Sequence, residues 1–356
     1  MTTTQQELEE LLLNALKLNA SDLHLNVGYK PTVRIDGALL PLNEFSVLTP
    51  EHSQDLVFQL LEDRKDAFLE KKEIDFAYGF KDKARFRVNA FFEKGFVSVA
   101  LRLVPREIKT LEELNLPATL HRVSKLKQGF ILMTGPSGHG KSTTLASIID
   151  EINHSRTEHI ITIEDPIEYL FIGDKSLVNQ REIGLDTKSF HNALSSLLRE
   201  DPNVIMIGEM RDPETIAAAL TAAETGHLVL SSLHTNSASQ TVDRVIDVFP
   251  PSQQNQIRLQ LANTLSAIIS QRLLPCMRGG RIPAAEIMFS NNAVSNLIRE
   301  DKAHQLDLVI ETSFENGMIS LNHSLAELVR RGEVAPETAL AYALNPVALQ
   351  EVLSQL

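Results

Sequence analysis

The octet Gly135-Pro136-Ser137-Gly138-His139-Gly140-Lys141-Ser142 fits the phosphate-loop pattern G-x-x-x-x-G-K-[ST], and its flanks are those the pattern needs. Phe130 to Thr134 (FILMT) reads as a buried strand. Thr143 to Asn153 (TTLASIIDEIN) reads as a helix with apolar residues at 145, 148, 149 and 152. In that order, loop N–H groups wrap the α- and β-phosphates, Lys141 reaches the β- and γ-phosphates, and the Ser142 hydroxyl is free to ligate Mg²⁺. The helix start at Thr143 favours the negative charge. The alternative is an accidental glycine turn with a surface lysine. The octet predicts an ATPase that binds ATP and Mg²⁺.

The chain has 356 residues, enough for two domains with separate cores, and its hydrophobic content of 43% is that of an ordinary soluble protein. No apolar run reaches the ~18 residues that suggest a membrane helix. The start, MTTTQQELEELLLNALKLNA, is acidic where a signal peptide is basic, so it predicts an amphipathic helix and a cytoplasmic protein. A single cysteine, Cys276, excludes an intramolecular disulfide and a multi-cysteine zinc site. The net charge of −12 argues against a broad nucleic-acid surface, so no nucleic acid is expected as a partner.

Residues 1–104 combine an N-terminal helix and helical segments near 50–70 with strand-like runs at Asp22–Asn26, Thr32–Ile35, Ile74–Tyr78, Ala84–Phe92 and Phe96–Leu103. Asp36-Gly37 is a hairpin signal. This predicts an α+β domain with a mostly antiparallel sheet. Residues 105–117, with prolines at both ends, read as a linker. From 118 to 290, strands at 130–134, 159–163, 203–207 and 228–231 alternate with helices, which predicts a parallel α/β sheet. Residues 291–356 read as a helical segment.

Three further constellations stand at strand C-terminal ends, the edge where ligands bind in such sheets. In IITIEDPIEY, a strand delivers Glu164 and Asp165, and Pro166 stops the ladder. A carboxylate there can orient and deprotonate an attacking water; a solvated acidic turn is the alternative. In NVIMIGEMRD, Glu209 is placed to hold Mg²⁺ directly or through water, and Gly208 to let the backbone approach a nucleotide. Arg211 and Asp212 read as a helix-start charge pair. In GHLVLSSLHTN, His227 and His234 flank an apolar strand; they are either structural histidines or readers of the nucleotide state, with His234 at the position of a γ-phosphate sensor.

Together the four boxes resemble those of the secretion ATPase superfamily that powers type IV pili and type II secretion. They correspond to its Walker A motif, Asp box (ITIEDPIEY), Walker B motif (LREDPNVIMIGEMRDPET) and His box (TGHLVLSSLHTNSA). Ala20-Ser21-Asp22-Leu23-His24-Leu25 and Arg34-Ile35-Asp36-Gly37 are similar to its opening signature. Residues 293–300 (AVSNLIRE) are similar to a segment of its pilus-retraction branch. The resemblance implies a hexameric ring in which an N-terminal PAS-like domain joins a RecA-like ATPase domain, with turnover moving one against the other. It implies Glu164 as general base, Glu209 as the Walker B glutamate, His227 and His234 as the His-box pair, and Arg85, Arg87 and Arg102 as arginines that approach the γ-phosphate. Ser137 and His139 depart from the threonine and serine common in the family.

The implied function is a cytoplasmic motor for pilus retraction and twitching motility, held at the inner face of the membrane through an inner-membrane platform protein and working beside a second retraction ATPase. An assembly or type II secretion ATPase is the alternative, though many of these carry a four-cysteine zinc element and a larger N-terminal region. A non-catalytic regulatory subunit is disfavoured by the intact Lys141, Glu164 and Glu209, and a DNA translocase by the acidic balance.

Overall fold

The computed structural model describes residues 3–35, 37–81, 83–105 and 107–354. Asp36 of the hairpin signal and Arg106 of the expected linker lie outside the described residues. The chain forms two compact units, Met1–Arg106 and Glu107–Leu356.

In the first unit, helix α1 (Thr3–Lys17) is followed by strands β1 (Asp22–Leu25), β2 (Thr32–Ile35) and β3 (Ala38–Pro41). Helices α2 (Pro50–Leu61) and α3 (Lys65–Lys71) precede strands β4 (Glu73–Phe80), β5 (Ala84–Glu93) and β6 (Phe96–Leu103). The six strands form one antiparallel sheet in the order β3-β2-β1-β6-β5-β4. β5 alternates buried and partly exposed residues, the period-two signature of a sheet with one covered face. Thr49 caps α2 by accepting from the His52 N–H, Pro50 fits its first turn, and Ser53 ties the helix to the Val97 carbonyl. Leu11, Leu12, Leu23, Leu56, Leu60, Phe68, Phe86 and Leu101 fill the core between helices and sheet.

The second unit opens with a turn, whose Leu111 and Leu116 are buried in that unit's own core. Residues 107–117 are therefore anchored to the second unit, which corrects the reading of 105–117 as a separate linker: two apolar side chains prefer the core to water. After α4 (His121–Ser124) come β7 (Gly129–Thr134), α5 (Lys141–Ser155), β8 (His159–Glu164), β9 (Leu177–Glu182) and α6 (Phe190–Leu197). The alternation continues with β10 (Val204–Ile207), α7 (Pro213–Glu224), β11 (Leu228–Leu233), α8 (Ala238–Asp247) and α9 (Pro251–Thr264). An antiparallel pair, β12 (Leu265–Pro275) and β13 (Arg281–Phe289), precedes α10 (Asn292–Arg299), α11 (Leu306–Thr312), α12 (Leu321–Arg330), α13 (Pro336–Tyr342) and α14 (Pro346–Leu353).

The seven-stranded sheet runs β13-β12-β7-β11-β10-β8-β9, parallel throughout except at β12–β13. Its central strands β7, β10 and β11 are buried along their whole length, as expected of a sheet covered on both faces. β9, β12 and β13 lie outside the sequence reading because polar residues interrupt their apolar runs. The C-terminal helices pack back on the unit, with Leu274, Ile282, Leu321, Leu325 and Leu349 forming a smaller core. Among the described residues, no helix is long and apolar enough to cross a membrane.

Candidate nucleotide site

The order of the central strands assembles the site. β7, β11, β10 and β8 are parallel neighbours in that sequence, so the segments leaving their C-terminal ends emerge side by side, roughly 5 Å apart per strand. These segments carry the phosphate loop, His234, Glu209 and the end of β8 at Glu164.

The phosphate loop is shaped by β12 as much as by its own glycines. At Gly135 φ is +137°, and a Cβ would stand 2.2 Å from the Gln271 carbonyl oxygen. At Gly140 φ is +83°, and a Cβ would meet the Gln271 Nε2 at 2.8 Å. The buried Gln271 amide donates to the His139 carbonyl at 2.9 Å and accepts from the Thr144 hydroxyl at 2.8 Å, linking loop and helix. The His139 side chain turns to β12: its Nδ1 accepts from the Leu273 N–H at 3.0 Å, and burial lowers its pKa, helped by nearby Arg272, Lys141 and Arg281. Ser142 is exposed in the first turn of α5, whereas Thr143 is already engaged, its hydroxyl 2.8 Å from that of Tyr169 in the Asp box.

Lys141 is buried, and its ammonium donates to the carbonyls of Gly135 (2.8 Å) and Pro136 (2.9 Å). Burial pulls its pKa down, while the carboxylates of Glu209 and Glu168 pull the other way. His234 stands between the two charges: its Nδ1 lies 3.4 Å from the Lys141 ammonium and its Nε2 3.5 Å from a Glu209 oxygen. The other Glu209 oxygen pairs with Arg211 at 2.8 Å. Arg211 thus turns to Glu209 and not to its sequence neighbour, while Asp212 caps α7 by accepting from the Thr215 N–H and hydroxyl, at 2.7 and 2.8 Å. Gly208 faces the Ile163 carbonyl and the Glu164 backbone, at 3.4 and 3.5 Å from where a Cβ would be. Its backbone neighbours in the fold belong to β8 and the segment that follows it.

Glu164 is the most sheltered of these carboxylates, 5% exposed. One oxygen accepts from the Thr162 hydroxyl (2.6 Å) and the Gln180 amide (3.1 Å), and the other from the Glu168 N–H (3.3 Å). Burial raises its pKa, with these hydrogen bonds offsetting part of the rise. A desolvated carboxylate of raised basicity, held by three donors, is what proton abstraction from water calls for. Thr162 was within reach of sequence reading, since residues two apart on a strand share a face. Gln180 was not, because β9 itself went unread.

The two histidines part company. His227 precedes β11 and bonds the Ala222 carbonyl and the Thr225 hydroxyl, at 2.9 and 3.1 Å, at the end of the strand remote from the phosphate loop. Within one subunit the fold does not bring it to His234, because the strand between them is extended. In the first unit, Arg85 and Arg87 lie on β5 and Arg102 on β6, with Arg87 opposite Arg102. Arg102 is exposed and donates to Asp22 at 2.8 Å; Asp22 also lies 3.9 Å from Arg34.

The chain matches the family of type II/IV secretion system proteins over residues 2–302. The chain belongs to the secretion ATPase family. It is 46% identical over 345 residues to the type IV pilus retraction ATPase PilT of Pseudomonas aeruginosa PAO1, covering 96% of this chain and 99% of that protein. It is 45% identical over 317 residues to a twitching motility protein of Neisseria gonorrhoeae, covering 88% of this chain and 84% of the relative. The crystal structure of the pilus retraction motor PilT with bound ADP superposes with a TM-score of 0.90 at 46% identity, covering 96% of this chain and 98% of that one. The chain is a PilT-like member of the family, with its two-domain α/β fold, and it is an ATPase with a nucleotide-binding phosphate loop.

Proposed function

We propose that this protein is a hexameric cytoplasmic motor that hydrolyses ATP to retract a type IV pilus. The observation that carries this reading is the chain of contacts from Lys141 through His234 to Glu209, which joins three strand-end segments around one pole of the phosphate loop. The loop N–H groups and the start of α5 hold the phosphates, and Lys141 supplies positive charge to the β- and γ-phosphates. Glu164 takes the proton of the attacking water. His234 senses the γ-phosphate, because any shift of Lys141 toward it alters both contacts of the ring.

Ser142 and Glu209 offer a hydroxyl and a carboxylate, the hard oxygen donors that suit Mg²⁺, and Ser142 is exposed to receive it. When bound, Mg²⁺ neutralises charge on the phosphate oxygens. Arg87 and Arg102, with Arg85 beside them, are the arginines of the N-terminal domain that neutralise the transition state as the two domains move about the boundary near Pro105. His227 is the other histidine of the His box. The ring acts on an inner-membrane platform protein at the inner face of the membrane, beside a second retraction ATPase.

The test is a retraction assay in cells lacking this protein. Surface pili that accumulate and no longer shorten support the reading. Pili that fail to appear turn it into an assembly or secretion ATPase.

A further inference from the structure

Behind the phosphate loop a row of buried polar side chains crosses the sheet. Thr134 ends β7, Ser270 stands opposite it on β12, and Glu286 stands opposite Ser270 on β13. All three are at most 6% exposed. The Thr134 and Ser270 hydroxyls are 2.8 Å apart, Ser270 faces Glu286 directly across the β12–β13 pair and favours its charged form, and the Glu286 carboxylate accepts from the Ala238 N–H at 2.8 Å. Ala238 opens α8 only four residues after His234, and Thr134 immediately precedes Gly135. The row thus ties the entry of the phosphate loop to the exit of the His234 segment.

We propose that Glu286 is a positioning residue for ATP hydrolysis, holding the Thr134 end of the phosphate loop and the Ala238 end of the His234 segment in register through Ser270. Its role presupposes that the chain hydrolyses ATP, which the turnover of the unaltered protein tests separately.

A buried carboxyl in so apolar a strand has an inexpensive replacement in any hydrophobic residue, yet here it satisfies a helix-start N–H that would otherwise be orphaned. It also sets the direction of the row. As a carboxylate it accepts from both Ala238 and Ser270, and Thr134 then donates to Ser270. As a neutral acid its own hydroxyl can donate to Ser270, and Thr134 then accepts. Burial pushes its pKa up to about 7; the Ala238 N–H opposes the rise, Asp307 on α11 adds to it, and Arg272 on β12 and Ser270 oppose it. The direction of the row therefore follows the protonation of Glu286, which burial makes easier than for an exposed carboxyl.

The experiment compares Glu286→Gln and Glu286→Ala with the unaltered full-length hexamer, measuring kcat and KM for ATP from about pH 6 to 9 and the stoichiometry of ADP binding. Glutamine keeps an acceptor for Ala238 and a donor for Ser270, as the neutral acid does. Its kcat should stay within about twofold of the parent at the acidic end and diverge by about threefold or more above about pH 8, with KM unchanged. Alanine should lower kcat about tenfold at all pH values with ADP stoichiometry retained, the scale of a small misplacement of catalytic groups. Superimposable kcat profiles for the parent and Glu286→Gln overturn the proposal, as does parental kcat in Glu286→Ala. If the alanine variant does not fold, the glutamine profile decides alone.

Discussion

The Lys141 ammonium lies 3.4 Å from Nδ1 of His234, whose other nitrogen lies 3.5 Å from Glu209. Two residues 93 positions apart in the chain thus share one point of the site, and in the proposed function the imidazole is a relay between Lys141 at the phosphates and Glu209 at the metal. His234→Ala should leave ADP affinity within about threefold and lower kcat about tenfold or more, because the relay acts on the triphosphate state. Equal losses in ADP affinity and kcat would reduce His234 to a part of the binding surface.

Glu164→Gln retains the hydrogen-bonding shape of the side chain and removes its basicity. Nucleotide binding should persist while turnover falls about a hundredfold or more, the scale of a lost general base. Near-parental turnover in the purified hexamer removes Glu164 from the proton transfer.

Glu209→Ala should weaken turnover in a way that rising Mg²⁺ partly restores, since a hard-cation ligand has been lost and Ser142 remains. A titration in which turnover is indifferent to the substitution at every Mg²⁺ concentration would take Glu209 out of the site.

Gly135→Ala places a methyl group 2.2 Å from the Gln271 carbonyl at a φ of +137°, so β7 and β12 must separate. The expected cost is about 2–4 kcal/mol in thermal or denaturant unfolding, with loss of nucleotide binding. Gly138→Ala, with φ of +75° and no atom within 4 Å of a Cβ, should cost only about 1–2 kcal/mol.

Glu286 makes stability depend on pH. Its folded pKa of about 7 stands above the unfolded value of 4.5, so between these values the native state holds more protons than the unfolded chain. Stability is then lost as pH rises through that window, on the order of 3 kcal/mol from this group. Urea unfolding of Glu286→Gln at several pH values should show a flatter dependence than the parent; parallel curves would contradict the shift.

Arg87→Ala and Arg102→Ala should lower turnover more than nucleotide affinity, and turnover per subunit should rise with protein concentration as rings form. Ultracentrifugation alongside activity checks both. Monomers that hydrolyse ATP at the hexamer rate, or two fully active arginine variants, would end the role proposed for these arginines.

The sequence alone was enough for the phosphate loop and for the strands that carry Glu164, Glu209 and His234, because each chemistry is written in a contiguous apolar run followed at once by its polar residue. A short run buried on both faces needs no partner to be recognised, and parallel crossovers bring such ends to one edge. The tertiary structure decided everything that depends on what lies opposite. Gln271, Gln180 and Glu286 are polar residues within strands that only pairing reveals. Gly135 owes its constraint to a β12 carbonyl, and Gly208 its setting to β8. His227 and His234, alike in sequence, take different partners, His227 the Ala222 carbonyl and His234 the Lys141 and Glu209 side chains. Strand pairing is a contact between distant parts of the chain, and local patterning holds no record of which residue will face which.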